Sequence, residues 1–220
     1  MNICLLIPAY NEAKAIGQVV SEACKVMKPV VVIDDGSQDT TARIAQDSGA
    51  FVIKHQVNSG KGAALRTGFQ YALEHDYDAV ITMDSDGQHA VDDIPGFLKA
   101  FRERGPGVII GSRMHDISTM PAVRKFTNRC TSFVGSLLAH QKLEDSQSGF
   151  RLISSDVLRA IELESSGYEM ESELLIKASR AGFRISSVSI KTIYGEEVSK
   201  IAPVADTYKF FRLLFRSLRW

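Results

Sequence analysis

The strongest constraint on the fold is a repeated pattern in the first half of the chain, where short apolar runs end in polar, glycine-bearing turns and are followed by helical periodicity. Ile3-Cys4-Leu5-Leu6-Ile7 ends at Pro8, and Val30 to Ile33 ends at Asp34-Asp35-Gly36-Ser37. Runs this apolar, without alternation, read as strands buried on both faces. Ala50 to Ile53 is a third strand, and the stretch from Asp78 to Met83 is a fourth. Between them, Ile16, Val19, Val20 and Ala23 recur at helical spacing and predict a helix ending near Lys28-Pro29. A second helix starts at Asp39-Thr40-Thr41 and ends near Gly49, and a third passes through Ala64, Leu65, Phe69 and Leu73. Strand and helix alternating over residues 1–115 predict a parallel α/β sheet. Right-handed crossovers bring the carboxyl ends of its strands to one rim, where open sheets bind ligands.

That rim gathers Pro8 to Glu12, Asp34 to Ser37, Asn58 to Lys61 and Asp84 to Gln88. A fifth strand, Val108-Ile109-Ile110, leaves at Gly111-Ser112-Arg113. The most telling of these stretches is Asp84-Ser85-Asp86, because two carboxylates this close repel each other. A hard divalent cation relieves the repulsion, and Mg²⁺ is commonly held by one or two carboxylates together with substrate phosphates. Taken alone, the same residues make an equally good turn. Asp34 or Asp35 can accept hydrogen bonds from a base or ribose, Gly36 permits close backbone approach, and Lys61 can meet a phosphate. Each has a plain alternative in turn chemistry or solvation, but their shared edge favours a pocket for a nucleotide diphosphate. Gly60-Lys61-Gly62-Ala63-Ala64-Leu65 lacks the third glycine of a dinucleotide fingerprint and the order of a P-loop, so neither of those classes fits.

Lysine plus arginine equals aspartate plus glutamate at 26 each, so no net field points to a nucleic-acid partner. The 3 cysteines, Cys4, Cys24 and Cys130, are odd in number and lack metal-ligand spacing. They read as reduced thiols in a cytosolic setting, with Cys4 in the core. No basic segment precedes the first apolar run, so a signal peptide is not expected. No apolar stretch reaches membrane-spanning length.

After Pro121 the pattern changes. Val123, Phe126, Cys130, Phe133, Val134, Leu137 and Leu138 recur at helical spacing, with Arg124, Lys125, Asn128 and Arg129 elsewhere on the wheel. This helix can pack on the core or lie on a surface. The polar loop Asp145 to Arg151 leads to another strand, followed by helices at Asp156 to Leu163 and Glu171 to Ala181 and a strand near Ile185 to Ile190. From Asp206 to Trp220, Lys209, Arg212, Arg216 and Arg219 oppose Phe210, Phe211, Leu214, Phe215 and Leu218. Both amphipathic segments suit the headgroup region of a membrane surface.

Six stretches in order carry a resemblance: Pro8-Ala9-Tyr10-Asn11-Glu12, Ile33-Asp34-Asp35-Gly36-Ser37, Asn58-Ser59-Gly60-Lys61-Gly62, Asp84-Ser85-Asp86-Gly87-Gln88-His89, Gly111-Ser112-Arg113 and Asp145 to Arg151. Together they resemble the family 2 glycosyltransferases, most closely the dolichyl- or polyprenyl-phosphate mannosyltransferase branch. The resemblance implies a GT-A fold, an α/β Rossmann-like and mostly parallel sheet flanked by helices, with C-terminal amphipathic helices. The chain is read as a single domain over residues 1–220, with a nucleotide-sugar half at 1–115, an acceptor half at 116–205 and an amphipathic tail at 206–220. The resemblance also implies a nucleotide-diphosphate sugar donor (GDP-mannose or a UDP-hexose), Mg²⁺ or Mn²⁺, and inversion at the anomeric carbon.

Carried over by motif, Pro8, Ala9, Tyr10, Glu12, Ile33, Asp34 and Asp35 line the nucleoside pocket. Lys61, Asp84, Ser85 and Asp86 complete the donor site. Asp84, Asp86 and Gln88 match the metal positions, Arg113 lies near the donor diphosphate and acceptor phosphate, and Lys200 of Ser199-Lys200 is a phosphate ligand. The family often has an arginine shortly before that pair, and Tyr194-Gly195-Glu196-Glu197 stands there instead. This departure bears on the mannosyl assignment more than on the fold.

The expected chemistry follows from the leaving group. Negative charge builds on the departing phosphate, which a cation at Asp84 and Asp86, with Arg113 and Lys200, stabilises. A sugar hydroxyl acceptor requires a base, for which Asp145 is the choice. A lipid monophosphate, with a second pKa of about 6, is already largely dianionic and needs none. In that case Asp145 orients the acceptor, and Arg124, Arg129 and Arg151 can receive its phosphate. The reading is a transferase acting on a polyprenyl phosphate as a peripheral protein of the cytosolic membrane face, with homo-oligomerisation open. Its rivals are the same fold acting on a glycan hydroxyl and a silent nucleotide-sugar-binding module.

Overall fold

A computed structural model describes residues 1–114, 122–191 and 216–217, with the side chains of 122–130 outside the description. The elements run β1 (Ile3–Ala9), α1 (Ile16–Val26), β2 (Val30–Asp34), α2 (Thr41–Asp47), β3 (Phe51–Lys54), α3 (Lys61–Glu74) and β4 (Ala79–Thr82). After a short 3₁₀ turn at Val91–Asp93 come α4 (Ile94–Arg104), β5 (Gly107–Ser112), α5 (Ala122–Ala139), β6 (Arg151–Ser154), α6 (Ser155–Ala160), α7 (Met170–Arg180) and β7 (Arg184–Ser189). Helix α4 is absent from the sequence reading, although Ile94, Phe97 and Phe101 fall on one buried face.

The strands form one 7-stranded sheet in the order β3-β2-β1-β4-β6-β5-β7. β1 pairs in parallel with β2 and β4, β2 with β3, and β5 with β7. β6 runs antiparallel to both β4 and β5, with Arg151 opposite Thr82 on one side and Ile110 on the other. Thr82 Oγ1 donates to Gly149 O at 2.7 Å and Gly111 N donates to Phe150 O at 2.8 Å, which ties the entry of β6 to both neighbours. Because β6 runs backwards, the loop that precedes it arrives at the rim where β4 and β5 end.

Alternation along β1 explains the helices on both faces. Leu5 and Ile7 pack with Ile16, Val19 and Val20 of α1 and Phe97 of α4. Cys4 and Leu6 pack with Leu65 and Phe69 of α3 and Leu174 and Leu175 of α7. Each such side chain contributes about 1.5–3 kcal/mol by burial. Cys4 is core as expected, and burial pushes its thiol up to about 12. The strand at the sheet's edge, β3, is more open, with Phe51 exposed and stacked on Tyr71 at 5.4 Å.

The described part of α5 turns small and polar residues inward. Ser132, Gly135 and Ala139 are buried, whereas Phe133 and Leu137 are 73% and 67% exposed. Ser132 Oγ accepts from Ser146 N at 3.0 Å and Ser136 Oγ accepts from Leu143 N at 2.9 Å, so the helix docks through hydroxyls on the loop before β6. Among the described residues, no helix is long and apolar enough to cross a membrane.

Candidate active site

The nucleoside end of the rim is built from the loops after β1 and β2. Asn11 takes a left-handed backbone conformation (φ 52). Its N–H donates to Ser37 Oγ at 2.9 Å, its Oδ1 accepts from Gln38 N at 2.9 Å, and Glu12 N donates to Thr41 Oγ1 at 2.8 Å. These bonds fix Tyr10 and Glu12, both half-buried, beside the end of β2. Pro8 and Ala9 close β1, with Ala9 O accepting from Asp35 N at 2.8 Å.

Asp34 and Asp35 have different roles. Asp35 accepts from Ser59 N at 2.9 Å and Gly60 N at 2.7 Å, and it contacts His55 Nδ1 at 2.7 Å. Its carboxylate therefore shapes the loop that presents Lys61. Asp34 Oδ1 accepts from Ser37 N at 3.1 Å, while its buried Oδ2 has no hydrogen-bond partner and only Lys54 Nζ at 3.8 Å. Ile33 is wholly buried in the sheet, beneath the pocket lining expected of it.

The acidic step emerges from β4 into a dense charge cluster. Asp84 Oδ1 lies 2.6 Å from Lys61 Nζ, which lies 2.7 Å from Glu171 Oε1. Asp84 Oδ2 faces His89 Nε2 at 3.3 Å. A Cβ at Gly149 would stand 2.6 Å from both Asp84 oxygens, so only glycine lets the β6 loop close over this carboxylate. Burial alone would lower the Lys61 pKa, but Asp84 and then Glu171 outweigh it and the net shift is upward. Burial alone would raise the Asp84 pKa, but Lys61 and then His89 outweigh it and hold the carboxyl well below the usual carboxylate range. Ser85 is buried, and Asp86 Oδ1 accepts from Gln88 N at 3.0 Å. Among the described residues, no other hydrogen bond or ion pair engages Asp86.

No group of three His, Cys, Asp or Glu side chains is placed to hold a metal among the described residues. Two carboxylates on one short turn, beside a cationic cradle, still fit an ion that takes its remaining ligands from substrate phosphates and water.

Glu171 joins this charge cluster although the sequence does not single it out. It opens α7 among Glu169, Glu171 and Glu173, a spacing that reads as an ordinary acidic first helical turn. His89 is quoted in the motif without a role. It is buried, tilted against Phe150 at 5.0 Å, and its Nδ1 has no hydrogen-bond partner.

Arg113 and Asp145 form a bidentate pair. Arg113 Nε reaches Asp145 Oδ2 and Nη2 reaches Oδ1, both at 2.8 Å, and Arg113 N donates to Oδ2 at 3.2 Å. Burial would lower the guanidinium pKa, but Asp145 outweighs it and the net shift is upward. Asp145 is 0% exposed, which removes it from the position of a base that meets a sugar hydroxyl. Arg151 needs the same kind of correction. At 2% exposure its guanidinium donates to the carbonyls of Ser148, Glu171 and Ser146 at 2.7, 2.6 and 2.8 Å. It braces the β6 loop and α7 from below instead of facing an acceptor phosphate. The side chains of Arg124 and Arg129, together with Lys200 and nearly all of the amphipathic tail, lie outside the described residues.

Comparison with known proteins gives a consistent picture. The family model described as glycosyl transferase family 2 matches residues 4–162. The chain is 35% identical over 96% of its length to a UDP-N-acetylglucosamine–dolichyl-phosphate N-acetylglucosaminyltransferase of Methanococcus voltae, covering 94% of that protein. It is 31% identical over 89% of its length to an undecaprenyl-phosphate mannosyltransferase of Micrococcus luteus, covering 85% of that protein. Among solved structures, a glucosyl-3-phosphoglycerate synthase of Mycobacterium tuberculosis, determined with Mn²⁺, UDP and phosphoglyceric acid, superimposes with a TM-score of 0.71. That likeness covers 99% of this chain and 77% of the other at 20% identity, and it shows the GT-A fold.

Proposed function

The chain belongs to glycosyl transferase family 2, and on that premise we propose that it transfers a hexosyl group from a nucleotide-diphosphate sugar to the phosphate of a polyprenyl lipid, with inversion and with Mg²⁺ or Mn²⁺. The single observation that carries the choice of acceptor is the state of Asp145. A carboxylate that is fully buried and bidentately paired with an arginine does not take a proton from a substrate hydroxyl. Of the other carboxylates close by, Glu171 and Asp84 are paired with Lys61, and Asp86 is assigned to the cation. An acceptor that arrives as an anion needs no base. The names of the Methanococcus voltae and Micrococcus luteus relatives, both of which act on polyprenyl-type phosphates, support the same reading.

In this proposal the half-buried Tyr10 and Glu12 receive the nucleoside, with Pro8, Ala9 and the buried Asp34 forming the wall beside them. Asp84 and Asp86, with Gln88, hold the cation, which neutralises charge on the leaving diphosphate. Lys61 and Arg113 add positive charge on the same side. Asp145 keeps the Arg113 fork aimed, and Arg124, Arg129 and Lys200 supply further positive charge for the acceptor. The exposed Phe133 and Leu137 of α5 rest on the membrane surface from which the lipid is drawn.

The test is a transfer assay with labelled UDP-N-acetylglucosamine, UDP-glucose and GDP-mannose against polyprenyl phosphate, the matching polyprenol and a free glycan, each with Mn²⁺ or a chelator. Product is expected only with the lipid phosphate and only with metal. Transfer to the glycan with none to the phosphate would overturn the proposal.

A further inference from the structure

Lys61 already supplies a positive charge to the carboxylate that a metal would use. Its Nζ lies 2.6 Å from Asp84 Oδ1, 2.7 Å from Glu171 Oε1 and 5.5 Å from the centre of the Tyr168 ring. The second Asp84 oxygen faces His89. Asp84 is therefore engaged on both oxygens by the protein itself.

The partners differ in freedom. Asp84 is boxed in by Gly149, where no Cβ fits. The backbone beside Lys61 is also pinned, since Gly62 N and Ala63 N both donate to Ser166 O, at 2.7 and 3.2 Å. What remains adjustable is the flexible four-carbon stem of Lys61. An ammonium and a divalent cation competing for one carboxylate in a part-buried site repel strongly.

We infer that Lys61 is a resident counter-ion of Asp84. It opposes free divalent metal and moves onto the incoming diphosphate, so that metal and nucleotide bind this chain cooperatively. The inference deepens the reading above and rests on it, because it requires the cation at Asp84 and Asp86. The exchange conserves charge balance. Lys61 trades a carboxylate for a phosphate oxygen, the freed carboxylate accepts the metal, and Glu171 remains beside the lysine.

The experiment is a Mn²⁺ titration followed by the paramagnetic resonance of the free ion, without nucleotide and with saturating GDP or UDP, corrected for chelation by nucleotide alone. The wild-type protein is expected to bind Mn²⁺ at least about tenfold more tightly with nucleotide than without. Lys61→Met is expected to bind Mn²⁺ about tenfold more tightly than wild type in the absence of nucleotide, and to lose most of the coupling. Lys61→Gln is the second neutral variant should the Met variant not fold. Lys61→Arg keeps the charge and should bind bare Mn²⁺ as weakly as wild type. Equal nucleotide-free affinity in wild type and both neutral variants would overturn the inference. Wild-type protein that binds no Mn²⁺ with either nucleotide would instead overturn the donor-site reading beneath it.

Discussion

The guanidinium of Arg113 is clasped by Asp145 through two 2.8 Å bonds while its backbone N–H reaches the same carboxylate, so the residue after β5 is fixed at both main chain and side chain. Asp145→Asn keeps the shape but removes the charge that holds the fork. Leaving a part-buried arginine unpaired costs about 3 kcal/mol. Urea unfolding should show that loss, and the KM for polyprenyl phosphate should rise more than the KM for the donor. Unchanged stability would remove Asp145 from its bracing role.

Asp86 makes one described bond, from Gln88 N, so its replacement should spare the fold. Ligand held at 100 times its Kd stabilises a folded protein by about 2.7 kcal/mol. A thermal shift of that origin, produced by GDP or UDP with Mn²⁺, should disappear in Asp86→Asn while the melting temperature of the free protein stays within about a degree of wild type.

Gly149→Ala places a methyl group 2.6 Å from both Asp84 oxygens. Strain of this kind costs about 1–3 kcal/mol. The variant should keep its far-ultraviolet circular dichroism yet lose most transferase activity and most Mn²⁺ binding. Activity near wild type would mean that Asp84 has room the geometry denies it.

Glu173 gives a pH dependence. Burial alone would raise its carboxyl, but Lys177 Nζ at 2.8 Å and the N–H groups of Ser165 and Glu164 outweigh burial, and the net shift is downward. A depressed carboxyl stabilises fully above its unfolded value of about 4.3, and the benefit is lost as pH falls through the folded value. The urea midpoint of wild type should therefore fall on going from about pH 6 to about pH 3, and Glu173→Gln should start lower and fall less over the same range.

Phe133 and Leu137 offer a clean separation of binding from stability. Both are largely exposed, so Phe133→Asp with Leu137→Asp should leave the melting temperature nearly unchanged. Burying such a side chain contributes about 1.5–3 kcal/mol. The double variant should bind anionic vesicles more than tenfold more weakly in a flotation assay. Equal flotation would place the membrane contact elsewhere.

The part of the fold most legible in the sequence is the parallel run β3-β2-β1-β4 of the sheet. Leu5, Val31 and Ile81 sit in unbroken apolar runs, and each run stops at a polar turn that marks the rim. The position of β6 is not legible, because Arg151 to Ser154 find their partners near Thr82 and Ile110 through sequence separations that leave no local trace. Burial of Arg151 is hidden for the same reason, since the carbonyls that receive it come from Ser146, Ser148 and Glu171. Glu171 looks like any acidic residue in a first helical turn, and its meeting with Lys61 depends on how α7 docks. In α5 the periodicity is clear, but the stripe that meets the protein is the small one. Hydroxyls on Ser132 and Ser136 find backbone partners there, which apolar side chains cannot match.

The backward strand also bears on how the molecule comes into being. A chain leaving the ribosome produces β4 and β5 well before β6, and in the finished sheet those two strands are not neighbours. Until Arg151 to Ser154 emerge, the seat between them is vacant and two strand edges stand open, a state prone to wrong pairing. Gly149 is made just before the strand that fills it, and Glu171 after it. A nascent fragment ending near residue 115 thus carries every rim motif of the first half without a finished pocket. Donor binding should first appear once β6, Glu171 and β7 have been made, at the moment when the exposed edges that a chaperone would recognise are covered.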